Sequence, residues 1–397
     1  MKHVRIGVIG VSGRGGLSQK WHDPQGRSSL VAGADVNEKH LAEFKDFCGG
    51  NVFITGDYRE MLARPDVDAV GVFSPDNFHE EHAVAVLEAG KHLFCEKPLA
   101  ITVAGCYRIL RAWKRSGKKF LMGFNMRYMG WVRVMKQIVS EGVIGQVKSV
   151  WVRHFVPPGG NWYFHDWHAL TRNTTSLLLQ KGSHDIDVVH WIAGGHGKRV
   201  VAMGKRTYFG GDKPNDLRCD ACGERERCME AQPKDNPRQQ CAFRREIDAE
   251  DLEHVVWELD NGVLCAYQQC MFPPIMGVHR NYVFIGTEGS VENVERSDCT
   301  HVVVQTRRSG KWTGYAHRDY AVKGDSGEHS GADPVIAKEF IDLILKDIAP
   351  TAAPLDGRHS VAVGCAAAES LRNGAMPVEI APLPSDLADL RPAGSPV

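Results

Sequence analysis

The fold is decided by the stretch Val4-Arg5-Ile6-Gly7-Val8-Ile9-Gly10-Val11-Ser12-Gly13-Arg14-Gly15 near the start of the chain. Its first half is a short apolar run, which is typical of a buried parallel strand. The second half fits the pattern G-x-G-x-x-G with a serine at the second glycine. In that pattern the backbone approaches a pyrophosphate at a helix N-terminus. We therefore predict dinucleotide contacts from Gly10, Ser12, Gly13, Arg14 and Gly15.

The rhythm of the first strand and turn continues along the next hundred residues. Further apolar runs end at Ala34, Phe73 and Cys95, and a helical pattern between the last two stops at Gly90. Strands that alternate with helices indicate βαβ units and a doubly wound sheet. We predict an N-terminal α/β domain over residues 1–125.

The second half of the chain carries longer strand patterns. The hairpin signal Asp260-Asn261-Gly262 joins two of them, because Asn-Gly accepts positive φ at a turn. This change predicts a separate, mainly antiparallel α+β domain over residues 126–380, with a cysteine-rich insertion at 212–250. Residues 381–397 are rich in proline, and we predict a terminal extension there.

Composition excludes several classes of protein. Among the 397 residues, 48 Lys and Arg balance 48 Asp and Glu, which argues against nucleic-acid binding. No apolar run reaches about 18 residues, so we expect no membrane span. The N-terminal apolar stretch passes directly into the glycine loop, unlike a signal peptide. We therefore expect a cytoplasmic protein with reduced cysteines.

Asp35 refines the dinucleotide prediction. It ends the second strand pattern, about 20–25 residues after the glycine loop. A carboxylate there accepts hydrogen bonds from the ribose hydroxyls and repels a 2′-phosphate. We expect NAD rather than NADP, although Arg14 leaves NADP open. The alternative is that Asp35 only caps the strand end.

Further motifs extend over nearly the whole chain. They include Ser74-Pro75-Asp76-Asn77-Phe78-His79, Cys95-Glu96-Lys97-Pro98-Leu99, Gly123-Phe124-Asn125-Met126-Arg127-Tyr128 and His184-Asp185-Ile186-Asp187. In these motifs the chain resembles the glucose–fructose oxidoreductase/inositol dehydrogenase/rhizopine catabolism (Gfo/Idh/MocA) family. The resemblance implies a Rossmann domain and a C-terminal domain whose open sheet often mediates homodimers or homotetramers. It also implies NAD(P)-linked oxidation or reduction of sugars and cyclitols.

The resemblance assigns Lys97 to the reacting hydroxyl. Hydride transfer from a carbinol carbon needs a base for the hydroxyl proton, and Lys97 follows a strand's carboxyl end, where α/β sheets bind ligands. Pro98 is expected after a cis peptide bond. Glu96 is expected to contact the cofactor or to position Lys97. The remaining residues expected near the cofactor are Ser74, Pro75, Asn77, His79 and Arg127; helix capping is the alternative for Asn77 and His79.

A second catalytic segment contains Gln180, Lys181, His184 and Asp185. Many family members place an aspartate four residues before the histidine, but here that position is Gln180, which cannot take up a proton. Our hypothesis is that His184 is a base or hydroxyl binder and that Lys181 replaces the missing acid. A purely structural role is the alternative for both. Asp185 is expected to bind substrate.

An aromatic stretch with glycine and proline covers residues 157–168. Aromatic faces stack on sugar C–H surfaces, and loops often carry specificity. We expect Tyr163, His165 and Arg172 to bind substrate, with Arg172 suited to an anionic group. The alternative is that many of these aromatic residues belong to the core.

Four cysteines are concentrated in the insertion: Cys219, Cys222, Cys228 and Cys241. Four thiolates at such spacings are able to close a tetrahedral, structural zinc site. An insertion with few apolar residues would gain its folding energy from the metal. An iron–sulfur cluster, disulfides or free thiols are the alternatives.

The sequence thus predicts an NAD-dependent dehydrogenase of a sugar, sugar derivative or cyclitol. The main alternative is an NAD-dependent glycoside hydrolase that oxidises C3, eliminates the aglycone, adds water and reduces the product again. That scheme needs an extra base for the C2 proton, for which Lys181 is a candidate. A non-catalytic sensor is a third reading, against which the intact Lys97 and His184 argue.

Overall fold

The computed structural model describes residues 2–157, 159–273, 280–306, 318–324 and 328–390. Pro158 of the aromatic stretch and residues 391–397 of the predicted extension lie outside this part. The chain divides into two compact units. Unit 1 consists of Met1–Gly130, Asp325–Val361 and Pro382–Val397, and unit 2 consists of Trp131–Gly324 and Ala362–Ala381.

This division differs from the sequence-based boundaries, because a late segment returns to unit 1. The helix Ala332–Lys346 packs on the first sheet's core: Trp21 Nε1 donates to the Ala337 carbonyl at 3.1 Å. The Phe340 ring also lies 5.2 Å from the Trp21 ring. Burial of these large aromatic surfaces explains why residues far along the chain join the N-terminal unit.

Unit 1 is built on six parallel strands in the order β3-β2-β1-β4-β5-β6, the doubly wound sheet that the sequence predicts. The strands are β1 (Val4–Ile9), β2 (Ser28–Ala34), β3 (Phe53–Thr55), β4 (Ala69–Val72), β5 (His92–Cys95) and β6 (Phe120–Met122). Their residues are almost all apolar and buried, as expected of strands covered on both faces.

The helices of unit 1 have clear local causes. Asn37 and Thr102 each accept backbone N–H groups at a helix start, and Gly117, with φ of 60°, ends the helix that Thr102 begins. The helices are Glu38–Phe47, Tyr58–Leu62, His79–Glu88, Val103–Ser116 and Ala332–Lys346, and Pro354–Arg372 belongs to unit 1 up to Val361.

Unit 2 is built on a nine-stranded sheet in the order β14-β13-β12-β11-β7-β10-β9-β8-β15, antiparallel except for the β7–β10 pair. The strands are β7 (Val147–Phe155), β8 (Gly197–Lys205), β9 (Leu252–Leu259), β10 (Leu264–Cys270), β11 (Arg280–Gly286), β12 (Ser290–Glu295), β13 (Thr300–Gln305), β14 (Arg318–Val322) and β15 (Val378–Glu379). The predicted hairpin joins β9 to β10, and Gly262 has φ of 81°.

The helices of unit 2 are Gly130–Ser140, Thr171–Thr174, Leu177–Gln180, Ser183–Ala193 and the second part of Pro354–Arg372. Along β9 and β10, buried side chains alternate with more exposed ones. The exposed face carries Trp151, Met203, Val256, Leu264 and Ile285, which are 44–66% exposed. In the part of the chain that the structure describes, no helix is both long and apolar enough to span a membrane.

Candidate functional site

The glycine loop after β1 is shaped by close backbone packing. A Cβ on Gly10 would lie 2.9 Å from the Phe73 carbonyl group, and a Cβ on Gly15 would lie 2.0 Å from the Gly10 oxygen. Gly10 and Gly13 have φ of 81° and 56°. The segment after the loop, Gly13–Trp21, is a 3₁₀ helix, which suits its glycine-rich start. The loop therefore has the close approaches that the dinucleotide pattern requires.

Asp35 lies at the carboxyl end of β2, as predicted. Its carboxylate accepts the Val11 N–H at 3.0 Å and the Asn37 N–H at 2.9 Å. A cavity of about 370 Å³ opens beside it and is also lined by Gly10, Ser74, Pro75 and Phe78. This place, at the strand ends of a doubly wound sheet, is where such folds bind nucleotides.

The Glu96-Lys97-Pro98 turn follows β5, and its Lys97–Pro98 peptide bond is cis, as expected. The Glu96 carboxylate accepts the Lys97 N–H at 3.2 Å and the Arg14 Nε–H at 2.6 Å. Arg14 also donates two hydrogen bonds to Asp333, at 2.6 and 3.0 Å. Arg14 is thus held by two carboxylates rather than offered singly to a pyrophosphate.

These ion pairs shift the titration of their members. Burial by itself would raise the pKa of Asp333, but hydrogen bonds from His329 and Arg14 hold that pKa far below its usual value. Burial likewise opposes the charge on Arg14, yet Glu96 and Asp333 raise the pKa of Arg14 overall. Asp333 and Arg14 therefore stay charged across neutral pH, and Arg14 keeps its hydrogen bond to Glu96.

The structure gives His79 and Arg127 buried contacts within unit 1. The buried His79 ring lies with Nδ1 2.6 Å from the Pro98 carbonyl oxygen and Nε2 2.8 Å from the Ser74 carbonyl oxygen. The His79 ring thus joins the loop at Ser74 to the Glu96-Lys97-Pro98 turn, and burial lowers the pKa of His79. Arg127 is buried and donates to the Thr351 carbonyl at 2.6 Å and to Asp356 at 3.3 Å. Asn77 is half-buried. Both His79 and Arg127 support the walls of unit 1.

Unit 2 contains a separate buried polar cluster around Asp185. The Asp185 side chain is 1% exposed, and Arg280 Nε lies 3.0 Å from it. His154 Nδ1 and the Tyr267 hydroxyl lie 2.9 and 3.0 Å from its other oxygen, and the Tyr282 hydroxyl donates as well. With this many donors, Asp185 is suited to organising its neighbours, and substrate binding by Asp185 stays a prediction.

The titration of this cluster follows from burial and from Arg280. Burial alone would raise the pKa of Asp185, but Arg280 and His154 hold it far below its usual value. Burial and the charge of Arg280 lower the pKa of His154 to about 3, so the imidazole is neutral at pH 7. The cluster therefore holds one firm anion and one firm cation.

Lys181 lies next to this cluster. Its Nζ is 5.8 Å from the centre of the Trp162 ring and 5.6 Å from that of the Tyr163 ring. Burial, and then the charge of Arg280, lower its pKa to about 7, while Asp185 acts in the opposite direction. An amine with such a pKa exchanges protons near neutrality, as an acid–base catalyst must.

His184 and Lys181 lie on different helices. Lys181 follows the short helix Leu177–Gln180, and His184 is in the first turn of the helix Ser183–Ala193. Both side chains are half-buried. Gly182 lies between Lys181 and the start of the second helix.

The aromatic stretch divides between two places. Tyr163 is buried beside Lys181, in the π-helical turn Gly160–Phe164. His165 instead lies in the cysteine-rich region: its Nδ1 is 3.8 Å from Cys219 Sγ, and the Gln240 carbonyl also contacts it. Arg172 is exposed and pairs with Glu246 at 3.5 Å. The structure thus brings only Tyr163 of these three to the Lys181 cluster.

The four predicted metal ligands surround one small cavity. Cys219, Cys222, Cys228 and Cys241 line it together with His165, and its volume is about 20 Å³. The four thiols are unlinked, and the Phe243 N–H donates to Cys241 Sγ at 3.4 Å. Within the described residues, the only group of three or more His, Cys, Asp and Glu donors that all lie within 4.8 Å of one another is Asp298, Cys299 and His301. The four sulfur atoms are therefore more widely spaced than bound ligands, and a metal ion would draw them inward.

Sequence reasoning missed several members of these clusters: His154, Tyr267, Arg280, Tyr282 and Asp333. The first four lie on β7, β10 and β11, and about 110 residues separate β7 from the other two strands. A signal did exist, because polar side chains at inward positions of an alternating strand need partners. The sequence alone does not say which partners they find.

Two models of the Gfo/Idh/MocA oxidoreductase family match the chain. The NAD-binding Rossmann fold matches residues 4–124, and the C-terminal alpha/beta domain matches residues 136–380. Together these matches cover well over half of the sequence.

Individual relatives share 20–34% sequence identity with this chain over the matched regions. YteT of Bacillus subtilis (strain 168) is 27% identical over 347 residues, which cover 77% of this chain and 80% of YteT. Inositol 2-dehydrogenase of Salmonella typhimurium is 34% identical over 157 residues, but these span only 39% of this chain and 41% of that enzyme. A solved structure of levoglucosan dehydrogenase with NADH and levoglucosan has a TM-score of 0.75 over 95% of this chain and 99% of its own, at 20% identity. That likeness shows the fold.

Proposed function

The chain belongs to the Gfo/Idh/MocA oxidoreductase family, and from this premise we propose that it is an NAD-dependent dehydrogenase of a CH–OH group in a sugar, sugar derivative or cyclitol. The observation that carries the proposal is the cavity between the glycine loop and Asp35 in unit 1. Relatives named inositol dehydrogenase and levoglucosan dehydrogenase support the substrate class. Asp35 supports NAD over NADP, because its carboxylate would repel a 2′-phosphate.

The residues of the chain are given the following roles. Oxidation of CH–OH to C=O releases a hydride and a proton, and NAD, when bound, accepts the hydride. Lys97 contacts the reacting hydroxyl and takes part in moving its proton, in a place fixed by Glu96. His184 serves as base or hydroxyl binder. Gln180 cannot take up a proton, so Lys181 relays protons in its place. The Lys181 pKa of about 7 lets this amine both accept and release a proton near neutral pH.

The direct test is a panel of sugars, cyclitols and glycosides with NAD or NADP. Absorbance of the reduced nicotinamide and release of aglycone are followed in the same samples. We expect at least one substrate to produce NADH in proportion to the ketone formed, with NAD preferred. A complete absence of reduced nicotinamide with every compound would contradict the proposal.

A glycoside hydrolase is the second candidate, and the environment of Lys181 favours it. Elimination after C3 oxidation needs a base for the C2 proton besides the group that handles the hydroxyl. Lys181, walled by Trp162 and Tyr163, is such an amine. Exchange of the C2 hydrogen with deuterated solvent, together with aglycone release at catalytic NAD, would support this candidate. Accumulation of NADH without exchange would exclude it.

We also propose that the chain forms homodimers or homotetramers through the exposed face of the nine-stranded sheet. Strand register places Trp151, Met203, Val256, Leu264 and Ile285 on this one face. Exposed apolar patches of this kind mark association sites. Light scattering should show an oligomer that Val256→Lys weakens, whereas Met229→Lys, at a 93% exposed position of the insertion, should not. A monomeric wild-type chain would contradict this.

For the cysteine cluster we propose one structural zinc ion. Four cysteines surround a cavity of about 20 Å³, which is the space of roughly one water-sized particle and too small for a multi-iron cluster. Burial raises the pKa of the Cys241 thiol, and the Phe243 N–H that donates to Cys241 Sγ opposes this shift. Metal analysis of freshly purified protein should give one zinc per chain. No metal together with four titratable thiols would overturn the proposal.

A further inference from the structure

The wall beside Lys181 is a short segment. Trp162 and Tyr163 belong to the five-residue turn Gly160–Phe164, whose own backbone bond joins the His165 N–H to the Gly160 oxygen at 3.2 Å. So short a turn has little stability by itself. The contacts that fix the position of the two rings must come from elsewhere in unit 2.

One group of these contacts comes from Arg244, near the end of the cysteine-rich insertion. The Arg244 side chain is fully buried, and it donates to the Phe164 carbonyl at 2.6 Å and to the Asp166 carbonyl at 3.1 Å. Arg238 Nε donates to the Asp166 carboxylate at 3.0 Å. A buried guanidinium that satisfies two backbone carbonyls fixes the path of that backbone.

A second group holds the start of the turn. Gln232 Nε2 donates to Oδ1 of Asn161, and Asn161 directly precedes Trp162. Glu230 covers Gly160 so closely that an added Cβ would lie 1.8 Å from its Oε2. All four of these residues of the insertion lie between Cys228 and Ile247, so the insertion wraps the aromatic turn from one end to the other.

The insertion has little regular secondary structure of its own. Its described residues form two three-residue 3₁₀ turns, Cys219–Ala221 and Arg225–Arg227, and isolated bridges of Lys213 with Arg244 and of Arg218 with Gln240. Backbone bonds tie the Cys219 N–H to Gln239 and the Cys241 N–H to Leu217, at 2.8 and 2.9 Å. The segment that carries Gln232 and Arg238 is therefore a loop whose ends are joined by backbone bonds at Cys219 and Cys241, and a metal ion on the four thiolates would tie it further.

We propose that the cysteine-rich insertion is a metal-dependent support for the Lys181 pocket: with a metal ion on its four thiolates it holds Trp162 and Tyr163 against the amine, and without the ion this wall loosens while the sheet stays folded. The inference rests on the acid–base role and the zinc site proposed for unit 2. It makes the insertion a positioning element of the site, with Gln232 and Arg244 as positioning residues.

A loosened wall has a defined consequence for Lys181. The other charged and titratable groups that face it come from separate elements: Arg280 from β11, Asp185 from the helix Ser183–Ala193 and His154 from β7. These stay in place when the insertion moves. Water then reaches the amine, and removal of the burial that holds its pKa near 7 lets that pKa rise.

The experiment compares Cys222→Ser and Cys228→Ser with Cys299→Ser. The first two change half-buried positions of the four-cysteine ring (Cys219, Cys222, Cys228 and Cys241), and the third changes a cysteine outside that ring. Metal content is measured in each full-length variant, and Lys181 is titrated by its pH-dependent reaction with an amine-selective reagent, read by mass spectrometry. Circular dichroism reports whether the sheet is intact. We expect the two ring variants to lose metal and to shift the labelling midpoint upward by about one pH unit or more, with Cys299→Ser unchanged.

Gln232→Ala serves as a second arm, because it breaks the link to Asn161 without touching a thiol. It should keep the metal and show a smaller upward shift of the Lys181 midpoint. Wild-type protein without metal, or ring variants that lose metal and keep the wild-type midpoint, would overturn the inference. Labelling needs no substrate, so failure of the dehydrogenase proposal would appear separately, as absence of NADH formation.

Discussion

The charges around Glu96 in unit 1 and around Asp185 in unit 2 are shared in opposite ways. In unit 1 a single guanidinium, Arg14, serves two carboxylates, both at 2.6 Å. In unit 2 a single carboxylate, Asp185, serves Arg280 and three further donors, and the Lys181 amine lies in the same field. Two carboxylates thus face one cationic side chain in the first cluster. In the second cluster, two cationic side chains, Arg280 and Lys181, face one carboxylate.

This difference separates support from reactivity. In unit 1, Asp333 is stabilised as an anion, so it holds Arg14 beside Glu96 and has no proton to exchange near pH 7. In unit 2, burial and then the charge of Arg280 lower the pKa of Lys181 to about 7, so this amine titrates near neutrality. Similar residue types thus build a rigid frame in one place and a reactive amine in the other.

The largest effect is expected at Lys97, the residue that the unit 1 frame positions. Lys97→Met should lower turnover about 10²–10⁴-fold and leave NAD binding intact, because the lysine handles the hydroxyl proton and not the nucleotide. His184→Ala should act in the same range. Steady-state kinetics and calorimetry check both. Lys39→Met, at an 81% exposed lysine of the same unit, is the matched control, and full activity in both test variants would refute the site assignment.

The next effect is on folding, at the carboxylate that unit 2 shares among its donors. Asp185→Asn leaves Arg280 buried without its counter-ion and should lower the free energy of unfolding by about 3–5 kcal/mol. The control is Asp347→Asn, at a side chain that is 82% exposed. Equal stability of the two variants in urea at pH 7 would mean that Asp185 does not organise the cluster.

The pH dependence of that stability has a defined sign. The pKa of Asp185 is lower in the folded chain than its ordinary value of about 3.9, so its contribution is complete above that value and is lost as pH falls through the folded pKa. As pH is lowered from 5 through the folded pKa of Asp185, the free energy of unfolding should therefore fall further for the wild-type protein than for Asp185→Asn. Parallel curves for the two proteins would contradict this.

The smallest effect concerns cofactor choice in unit 1. Asp35→Ser removes the charge that repels a 2′-phosphate and should raise the use of NADP relative to NAD about tenfold, or ~1.4 kcal/mol. The ratio of kcat/KM for the two cofactors measures it, with Asp46→Ser, an exposed position, as the control. An unchanged ratio would mean that Asp35 caps the strand and does not select the cofactor.

The sequence predicted most of unit 1 because its determinants are local. The glycine loop and Asp35 belong to one strand–helix–strand unit, where their spacing predicted both, whereas the cis bond before Pro98 was implied by the family resemblance. The exception is Asp333, which reaches Arg14 from 319 positions further along the chain. No spacing rule connects residues so far apart, and only the packing of the helix Ala332–Lys346 brings them together.

Unit 2 was predicted less completely for the same physical reason. Its polar cluster joins residues from β7, β10 and β11 and from the helix Ser183–Ala193, so sheet order decides its membership. The sequence indicated Lys181 and Tyr163, but it assigned His165 and Arg172 to the same place. Long-range contacts of the insertion, such as Gln240 with His165, placed those side chains elsewhere.

The proposed function requires that unit 1 bind NAD, and titration calorimetry of the purified full-length chain with NAD and NADH tests this directly. We predict one nucleotide per chain, with affinity that Asp35→Ser weakens for NADH and that Lys97→Met leaves unchanged. A chain that is folded by circular dichroism and shows no heat with either nucleotide at millimolar concentration would contradict the account.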